Sequence, residues 1–510
     1  MKPLNLVGDE LTIDAVHQVT DHRQTVAIPR EAAERLAASR VMVTRYFDEA
    51  RPIYGVTTGF GRFSDVVIPE SDRKRLQLNL IRSHAAGVGE PFSPRVARAM
   101  LLLRANALAK GYSAVRPVVV ERLVDFLNRG ITPVIPSQGS VGASGDLAPL
   151  AHLALVLVGE GEAWYQGDRL SGREALSRAG LTPLVLAAKE GLALINGTQA
   201  MGALGCLGAY EARLLADWAD IAGSLSFQVL RGIPVAFAPA VAMVRPHPGF
   251  MHSAQNLRHL LKGSRLTTEP GALRIQDAYS LRCMPQVHGA SRDGLAHIQE
   301  VVNREINSAT DNPLFFPRAD QVISAGNFHG QPLALVLDYL GILAAEWANI
   351  SERRIERMVN PALSGLPPFL VSQGGLNSGL MLAQYTAASL VSENKVWAHP
   401  SSVDSIPTSA NQEDHVSMGT TAGRKALSIL ANVRRVLAIE LICGAQAADL
   451  IGPERLSPLG QHVFNFVRDR VPMWDADRVL SADIETLAAA LIHEEGQQLV
   501  QAVLTGVVRS

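Results

Sequence analysis

One loop of this sequence contains three residues that can react with one another. Residues 137–146 read Ser-Gln-Gly-Ser-Val-Gly-Ala-Ser-Gly-Asp, and the tripeptide Ala143-Ser144-Gly145 within them can cyclise. The Gly145 amide nitrogen can attack the Ala143 carbonyl carbon, and loss of two waters leaves a five-membered imidazolone with an exocyclic methylene from Ser144. Glycine permits the tight backbone fold that this attack requires. The product is an electrophile suited to activating an amino group, and it needs no external cofactor.

The sequence around the tripeptide strengthens this reading. Ala-Ser-Gly alone is expected by chance on the order of 0.2 times in a chain of this length. Gly139 and Gly142 add backbone freedom, and Asp146 has the side chain of a helix N-cap. The apolar segment Leu147–Val158 that follows is rich in Ala and Leu, which favours a helix with Pro149 in its first turn. The N-terminus of such a helix would make a neighbouring methylene more electron-poor.

Composition excludes several classes of function. The chain has 510 residues, a net charge of −1, 47% hydrophobic and 5% aromatic residues. This length exceeds one simple core and predicts subdivision or oligomerisation. The absence of a basic stripe argues against nucleic-acid binding, and no apolar run approaches the roughly 18 residues of a membrane span. Cys206, Cys283 and Cys443 are too scattered for a disulfide framework or a metal site. With no signal peptide at the start, we expect a cytoplasmic location.

Two regions with different patterns follow one another along the chain. Residues 1–190 alternate short elements and predict a mixed N-terminal domain that carries the Ala-Ser-Gly loop. A strand is predicted over Thr25–Ile28, a helix from Pro29 and a glycine-rich loop over Pro52–Gly61. Further helices are predicted over Ser71–His84, Pro94–Lys110 and Pro117–Asn128.

Residues 191–510 read as long helices and predict a helical bundle domain with C-terminal helices. The helices expected there are Gly191–Leu230, Pro332–Val359, Asn377–Trp397 and Val416–Leu450. Leu333–Ala345 is apolar almost all round, which predicts burial on every side. The fold class is therefore mostly α, with a mixed N-terminal domain followed by a long-helix bundle.

Six other loops carry polar clusters that core packing does not require. They are Tyr54–Gly61, Asn79–Glu90, Glu190–Gln199, Gln276–Arg282, Gly326–Pro332 and Ser405–Met418. In this order, and together with the Ala-Ser-Gly loop, they closely resemble the aromatic amino-acid ammonia-lyase family. The resemblance extends from about residue 5 to residue 505. It implies a fumarase/aspartase-like helical core and a homotetramer with active sites shared between subunits.

The resemblance also implies a prosthetic group, 4-methylidene-imidazol-5-one, formed from Ala143, Ser144 and Gly145. Addition of a substrate amine to its methylene would make nitrogen a better leaving group, and a base would remove the β-hydrogen. General-base catalysis typically contributes about 10²–10⁴-fold, so the electrophile must supply much of the remainder. No external cofactor and no metal are implied.

Roles for individual residues follow from their positions in the matching motifs. Tyr54 matches the proposed general base, and Arg282 a clamp for the substrate carboxylate, which suits a bidentate guanidinium. Asn196 and Gln276 match amides that hydrogen-bond the ring carbonyl or the substrate carboxylate. Two aromatic residues match positions beside the prosthetic group, namely Tyr279 and Phe328.

The choice of substrate depends on the other end of the site. His84 and Glu413, with the adjacent Gln412, match positions that meet the substrate side chain in the histidine-specific members of the family. A carboxylate can accept the imidazole N–H or stabilise its protonated form, whereas beside a phenyl ring it would be an unpaired buried group. The resemblance thus implies elimination of ammonia from L-histidine to give trans-urocanate. Ala278 departs from this pattern, because many histidine-specific members have proline there.

Three alternatives stay open at this point. The same prosthetic group could serve a tyrosine or phenylalanine ammonia-lyase or a 2,3-aminomutase. A long-helix lyase of the fumarase type would use no prosthetic group, but its Gly-Ser-Ser-x-Met-Pro signature is missing from the sequence. A non-catalytic scaffold would leave Ala143-Ser144-Gly145 uncyclised. The sequence also lacks a His-Glu-x-x-His metal motif and a phosphate loop ending in Gly-Lys-Ser/Thr.

Overall fold

Helices dominate the computed structural model of this chain, which describes residues 2–48, 53, 57–59, 63 and 66–505. The chain forms two compact units, each discontinuous in sequence. The first comprises residues 1–210, 298–338 and 400–424, and the second comprises residues 211–297, 339–399 and 425–510. The contiguous division at residue 190 stays a prediction, and the predicted mostly α class is confirmed.

The N-terminal part alternates short strands with helices of moderate length. Its elements are β1 Leu4–Asn5, α1 Ile13–Thr20, β2 Val26–Ala27, α2 Arg30–Asp48, α3 Arg73–His84, β3 Val88–Pro91, α4 Pro94–Ala109, α5 Pro117–Arg129, β4 Thr132–Pro133, β5 Pro136–Gln138, α6 Leu147–Leu157, β6 Glu162–Tyr165, β7 Asp168–Ser171, α7 Gly172–Arg178 and α8 Glu190–Ile195.

Longer helices follow, with one short hairpin between them. The elements are α9 Gln199–Val229, α10 Pro239–Met243, α11 Pro248–Leu261, α12 Tyr279–Arg282, α13 Met284–Glu305, β8 Leu314–Phe316, β9 Gln321–Ile323, α14 Gln331–Val359, α15 Pro361–Ser364, α16 Met381–Trp397, α17 Gly419–Ile451, α18 Pro458–Arg468, α19 Leu480–Ile492 and α20 Glu494–Thr505.

The helices with strong start signals begin where the sequence predicts. Helix α4 begins at Pro94, and the Ser93 hydroxyl accepts a hydrogen bond from the Val96 amide at 3.4 Å. Helix α5 begins at Pro117 and ends before Gly130, whose φ of 77° terminates it. The strand predicted over Thr25–Ile28 is β2, which pairs in parallel with β1.

The sheets are small and serve to place loops. Strands β4, β6 and β7 form an antiparallel sheet, and β8 pairs with β9. Strand β3 pairs antiparallel with β5, with Val88 opposite Gln138. Because β3 follows α3 and β5 precedes the Ala-Ser-Gly loop, this pairing brings the end of α3 close to that loop.

The prediction of one continuous helix over Gly191–Leu230 is wrong. The structure has two helices, α8 and α9, separated at residues 196–198. A Cβ atom at Gly197 would collide with the Arg104 guanidinium, the Gln199 side chain and the Thr310 carbonyl. The break therefore depends on tertiary contacts that the local sequence does not reveal.

Helix α14 is less buried than its composition predicts. Leu335, Tyr339 and Ile342 expose 53%, 41% and 41% of their surface, and their spacing places them on one stripe of the helix. Burial of Leu333–Ala345 on every side is therefore wrong for the single chain. Within the described residues, α14 is also the one helix long and apolar enough to cross a membrane, and 67% of its most apolar window is buried.

Candidate active site

A cavity of about 1080 Å³ lies within the first unit, beside the Ala-Ser-Gly loop. Its lining comes from α3, the loop before α6, the end of α8 and further residues at 312 and within 59–68, 324–328 and 408–413. Seven residues predicted from the sequence line it: His84, Ala143, Ser144, Asn196, Phe328, Gln412 and Glu413. Residues from widely separated parts of the chain thus meet at one cavity.

The Ala-Ser-Gly loop is held by a close approach between two glycines. Gly145 has a φ of 70° and pairs with Gly197, and the Asp146 amide donates to the Gly197 carbonyl oxygen at 2.7 Å. A Cβ atom at Gly145 would collide with the backbone of Gly197. Glycine is therefore required at position 145 for both its backbone conformation and its packing.

The carboxylate of Asp146 anchors this loop, but not in the way the sequence predicts. Asp146 precedes α6, yet its side chain makes no cap to that helix. Its Oδ2 instead accepts hydrogen bonds from the Ala200 and Met201 amides at 2.8 and 2.9 Å, at the start of α9. Its Oδ1 accepts from Ser140, at 3.0 Å, and from Thr420. Burial raises the pKa of Asp146 even though these donors oppose the shift.

The residues of this loop fit the prosthetic group that the resemblance implies. Ala143 and Gly145 are paired across Ser144, so the two atoms that must bond belong to residues already brought together. Ser144 lines the cavity and is partly buried. A side chain at position 145 would collide with the Gly197 backbone, so only glycine allows this close packing of the loop, and a flat ring formed there would have no side chain at that position.

The cavity lining also includes His84 and Glu413. The Nδ1 atom of His84 lies 2.9 Å from the Leu80 carbonyl oxygen. Since a carbonyl only accepts, Nδ1 carries the proton and Nε2 of the neutral ring keeps a lone pair. Burial lowers the pKa of His84, and the hydrogen bond to Leu80 and the charge of Glu413 partly oppose this. The pair therefore offers two hydrogen-bond acceptors.

Glu413 is presented by an unusual turn. Ser409, Ala410 and Asn411 have φ values of 51°, 54° and 67°, so three consecutive residues other than glycine are left-handed. Backbone hydrogen bonds between Thr408 and Glu413, at 2.9 and 3.3 Å, close this turn. Such backbone strain is concentrated at functional sites.

Five predicted site residues, Gly145 among them, are not part of the cavity lining as the structure describes it. Tyr54 lies outside the described residues. Gln276, Tyr279 and Arg282 belong to the second unit and are absent from the described lining. Tyr279 is 71% exposed, and the Arg282 guanidinium lies over its ring at 4.5 Å from the centroid.

Sequence reasoning missed a buried ion pair behind the cavity. Lys189 Nζ lies 3.0 and 2.8 Å from the two carboxylate oxygens of Asp311, and both side chains are almost fully buried. Asp311 in turn accepts a hydrogen bond from Asn196 Nδ2 at 3.1 Å. The Lys-Glu pair at residues 189–190, inside the otherwise apolar run from 184 to 195, is the sequence signal that could have indicated it.

Comparison with known proteins agrees with this arrangement. The sequence matches the family model for aromatic amino acid lyases over residues 11–469. The chain belongs to the aromatic amino acid lyase family. It is 58% identical over 497 residues to histidine ammonia-lyase of Symbiobacterium thermophilum, with 98% of each chain covered. It is 54% identical over 503 residues to histidine ammonia-lyase of Alkaliphilus oremlandii, with 99% of each covered.

Solved structures of aromatic amino acid lyases and related enzymes share the fold. The crystal structure of histidine ammonia-lyase from Trypanosoma cruzi is similar at a TM-score of 0.92 and 44% identity, covering 100% of this chain and 96% of that one. Tyrosine aminomutase from Streptomyces globisporus is similar at a TM-score of 0.95 and 40% identity, with 100% of both chains covered. The resemblance predicted from the seven motifs is confirmed.

Within the part of this lyase that the structure describes, no group of three or more His, Cys, Asp or Glu side chains is placed to hold a metal ion. The three cysteines are free thiols, and burial raises the pKa of Cys206 and Cys443.

Proposed function

We propose that this protein eliminates ammonia from L-histidine to give trans-urocanate, as part of histidine degradation. The observation that carries this is the cavity itself, whose lining includes both Ser144 and the His84–Glu413 pair. The names of relatives that are 54–58% identical over nearly the whole chain support the same activity.

The reactive group is 4-methylidene-imidazol-5-one formed from Ala143, Ser144 and Gly145. When formed, it supplies an electrophilic carbon that activates the amino group of the substrate for departure. The chain holds the group through the Gly145–Gly197 contact and through the four hydrogen bonds to Asp146. The N-terminus of α6 follows immediately, and its field favours negative charge at the loop.

Substrate recognition divides among the remaining residues. His84 Nε2 and the Glu413 carboxylate accept the two N–H groups of the protonated substrate imidazole, and Gln412 and Phe328 also line the cavity. Arg282 binds the substrate carboxylate as a guanidinium fork, with Gln276 and Tyr279 on the same segment. Tyr54 removes the β-hydrogen, and the ammonium group leaves from the neighbouring carbon.

The active enzyme is a homotetramer whose sites are completed by neighbouring subunits. Two features of the single chain support this. The stripe of Leu335, Tyr339 and Ile342 is an apolar surface on a long helix, and Tyr279 is exposed together with Ile275 at 79%. Assembly buries such surfaces and allows the segment of Gln276, Tyr279 and Arg282 to serve another subunit's cavity.

Intact mass and an activity assay test the proposal together. The purified chain should have a mass two waters below that of its sequence, and it should convert L-histidine to urocanate, followed by ultraviolet absorbance. Ser144→Ala should restore the full mass and abolish activity. A protein with no mass deficit would be the scaffold of the third alternative, and activity in Ser144→Ala would contradict the mechanism.

A second function has one specific observation in its favour. The tyrosine aminomutase structure matches this fold at a TM-score of 0.95, and Ala278 also resembles the branch that uses aryl substrates. A tyrosine or phenylalanine lyase, or a 2,3-aminomutase, would use the same prosthetic group. The phenyl ring of such a substrate would leave the Glu413 carboxylate without a hydrogen-bond partner on the substrate, which costs free energy. Assaying histidine against tyrosine, with β-tyrosine as a second product, distinguishes the two.

A further inference from the structure

The side-chain amide of Asn196 can be oriented from its neighbours alone. Its Nδ2 lies 3.1 Å from Asp311 Oδ1 and 3.0 Å from the Asn312 carbonyl oxygen. A carbonyl only accepts hydrogen bonds, and so does a carboxylate with an ammonium group at both of its oxygens. Turning the amide around would place Oδ1 against two acceptors. The NH2 group therefore faces Asp311, and both of its hydrogens are used.

Lys189 holds the Asp311 carboxylate, which is the acceptor that determines how the Asn196 amide is oriented. Its ammonium contacts both oxygens of Asp311 and also lies 3.3 Å from the Asn312 carbonyl oxygen. The Asn312 amide donates to Asp311 Oδ1 at 2.7 Å. Lys189 and Asp311 are 0% and 1% exposed, so water does not compete for these bonds. The whole arrangement is a rigid support behind Asn196.

The consequence lies on the cavity side. Asn196 is 2% exposed and lines the cavity, yet its Oδ1 has no hydrogen-bond partner among the residues that the structure describes. An unsatisfied buried acceptor of this kind is costly. A ligand that brings an N–H group to this oxygen relieves that cost, whereas a ligand carboxylate or carbonyl oxygen would be repelled.

We propose that the Lys189–Asp311 pair is a positioning device that aims the Asn196 carbonyl oxygen at the substrate amino group. Asn196 immediately precedes Gly197, which pairs with Gly145, so it lies beside the reactive loop. The amino group is the part of the substrate that must approach this loop. The family resemblance implies that Asn196 contacts a carbonyl or a carboxylate, which requires a donor. The geometry supplies an acceptor instead.

Two ligands distinguish contact of Asn196 with the substrate amino group from contact with the substrate carboxylate. This test rests on the proposed histidine specificity. Histamine keeps the imidazole and the amine but lacks the carboxylate, whereas 3-(imidazol-4-yl)propanoate keeps the imidazole and the carboxylate but lacks the amine. Calorimetry on full-length Asn196→Ala should show the Kd of histamine raised about tenfold, since one hydrogen bond is lost. The Kd of the propanoate should change by less than about twofold.

Asp311→Asn tests the positioning role. The variant removes the charge that holds the Asn196 NH2 group, and the Asn312 carbonyl oxygen alone then opposes rotation of the Asn196 amide. We expect weaker histamine binding with propanoate binding unchanged or tighter, whereas simple loosening of the site would weaken the binding of both ligands. If this variant does not fold, Asn196→Ala still decides which ligand group the amide contacts.

Glu190→Gln is the matched control. Glu190 is fully buried, adjacent to Lys189 in sequence and ion-paired to Arg116 at 2.7 Å, whereas the described hydrogen bonds of the Asn196 side chain go to Asp311 and Asn312. The Glu190→Gln substitution should lower thermal stability and leave the ratio of the Kd values for histamine and the propanoate unchanged. A larger loss for the propanoate than for histamine in Asn196→Ala, or equal losses, would overturn the inference. Failure of the proposed function would be seen separately, as an unmodified chain with no urocanate formed.

Discussion

The cavity is bounded by two loops that are held in opposite ways. The Ala143–Asp146 loop is largely buried, and Asp146 alone accepts four hydrogen bonds from three segments of the chain. The Thr408–Glu413 turn is largely exposed and is closed chiefly by bonds between its own two ends. In the proposed function, the first loop carries the reactive group and the second contacts the substrate side chain. The reactive group is then held by hydrogen bonds from several segments of the chain, whereas the specificity residue is held by a turn with few contacts outside itself.

Gly197→Ala should produce the largest effect, because it acts on the first loop. Its Cβ would collide with Arg104, Gln199 and Thr310, and the displaced backbone would no longer fit against Gly145. We expect a loss of about 1–3 kcal/mol in the free energy of unfolding. Activity should fall by at least about 100-fold through misplacement of the reactive loop. Thermal unfolding, intact mass and the urocanate assay measure these effects.

Gly202→Ala, in the helix α9 that begins just after Gly197, is the control. Its Cβ would meet only the ends of leucine side chains, at 3.3 and 3.9 Å, and alanine is favourable within a helix. Normal ring formation and activity in Gly197→Ala would contradict the claim that the Ala143–Asp146 loop depends on contacts with distant segments.

Glu413→Gln should affect the substrate and leave the reactive loop unchanged. The variant keeps the shape of the side chain but removes the charge that faces the imidazole. A hydrogen bond to a charged group contributes about 1.5–3 kcal/mol, so kcat/KM for histidine should fall about 10- to 100-fold. The mass deficit of two waters should persist. An incomplete deficit in this variant would show that the turn also supports ring formation.

The protonation of His84 offers a finer test of how the substrate imidazole is recognised. Its pKa is lowered below its ordinary value of 6.5, chiefly by burial, so the folded protein loses the acceptor at Nε2 only as the pH falls through that lowered value. We expect kcat/KM to decline there, below pH 6.5. Glu413 raises the pKa of His84, so Glu413→Gln should move the titration to lower pH. An NMR titration of the His84 ring measures both, and a shift to higher pH would contradict the assignment.

Ala410→Gly should have the smallest effect. Ala410 has a φ of 54°, and a left-handed residue with a side chain costs about 1–2 kcal/mol, which glycine avoids at the expense of about 0.5–1 kcal/mol of backbone entropy. A small net gain in thermal stability should accompany a higher KM for histidine, with ring formation unaffected. Ala38→Gly, at an exposed position of α2, should instead destabilise.

Local signals were enough to predict many elements but not their connections. Pro94 and Pro117 marked helix starts correctly because these signals depend on adjacent residues. The break at Gly197 was missed because it depends on contact with Gly145. Asp146 was expected to cap the next helix, yet it caps one that begins far along the chain.

The site shows the same limit. Ser144, His84 and Glu413 were found from motifs that keep their order in sequence, and the structure brings them to one cavity. Lys189 and Asp311 escaped notice because they are 122 residues apart and neither lines the cavity. The exposure of Leu335 on α14 was not predicted, because an almost wholly apolar composition does not specify which stripe of a helix the rest of the chain leaves uncovered.

The hydrogen bonds of Asp146 have a consequence for protein engineering. The amides that hold its carboxylate lie 54 and 55 residues further along the chain. A graft of Ala-Ser-Gly, or even of the whole loop, into another protein would bring the reacting atoms without the scaffold that bends them together. A transplantable unit must include the start of α9 and Gly197, so the smallest portable module is a piece of tertiary structure, and a chain that has not yet folded carries only an inert tripeptide.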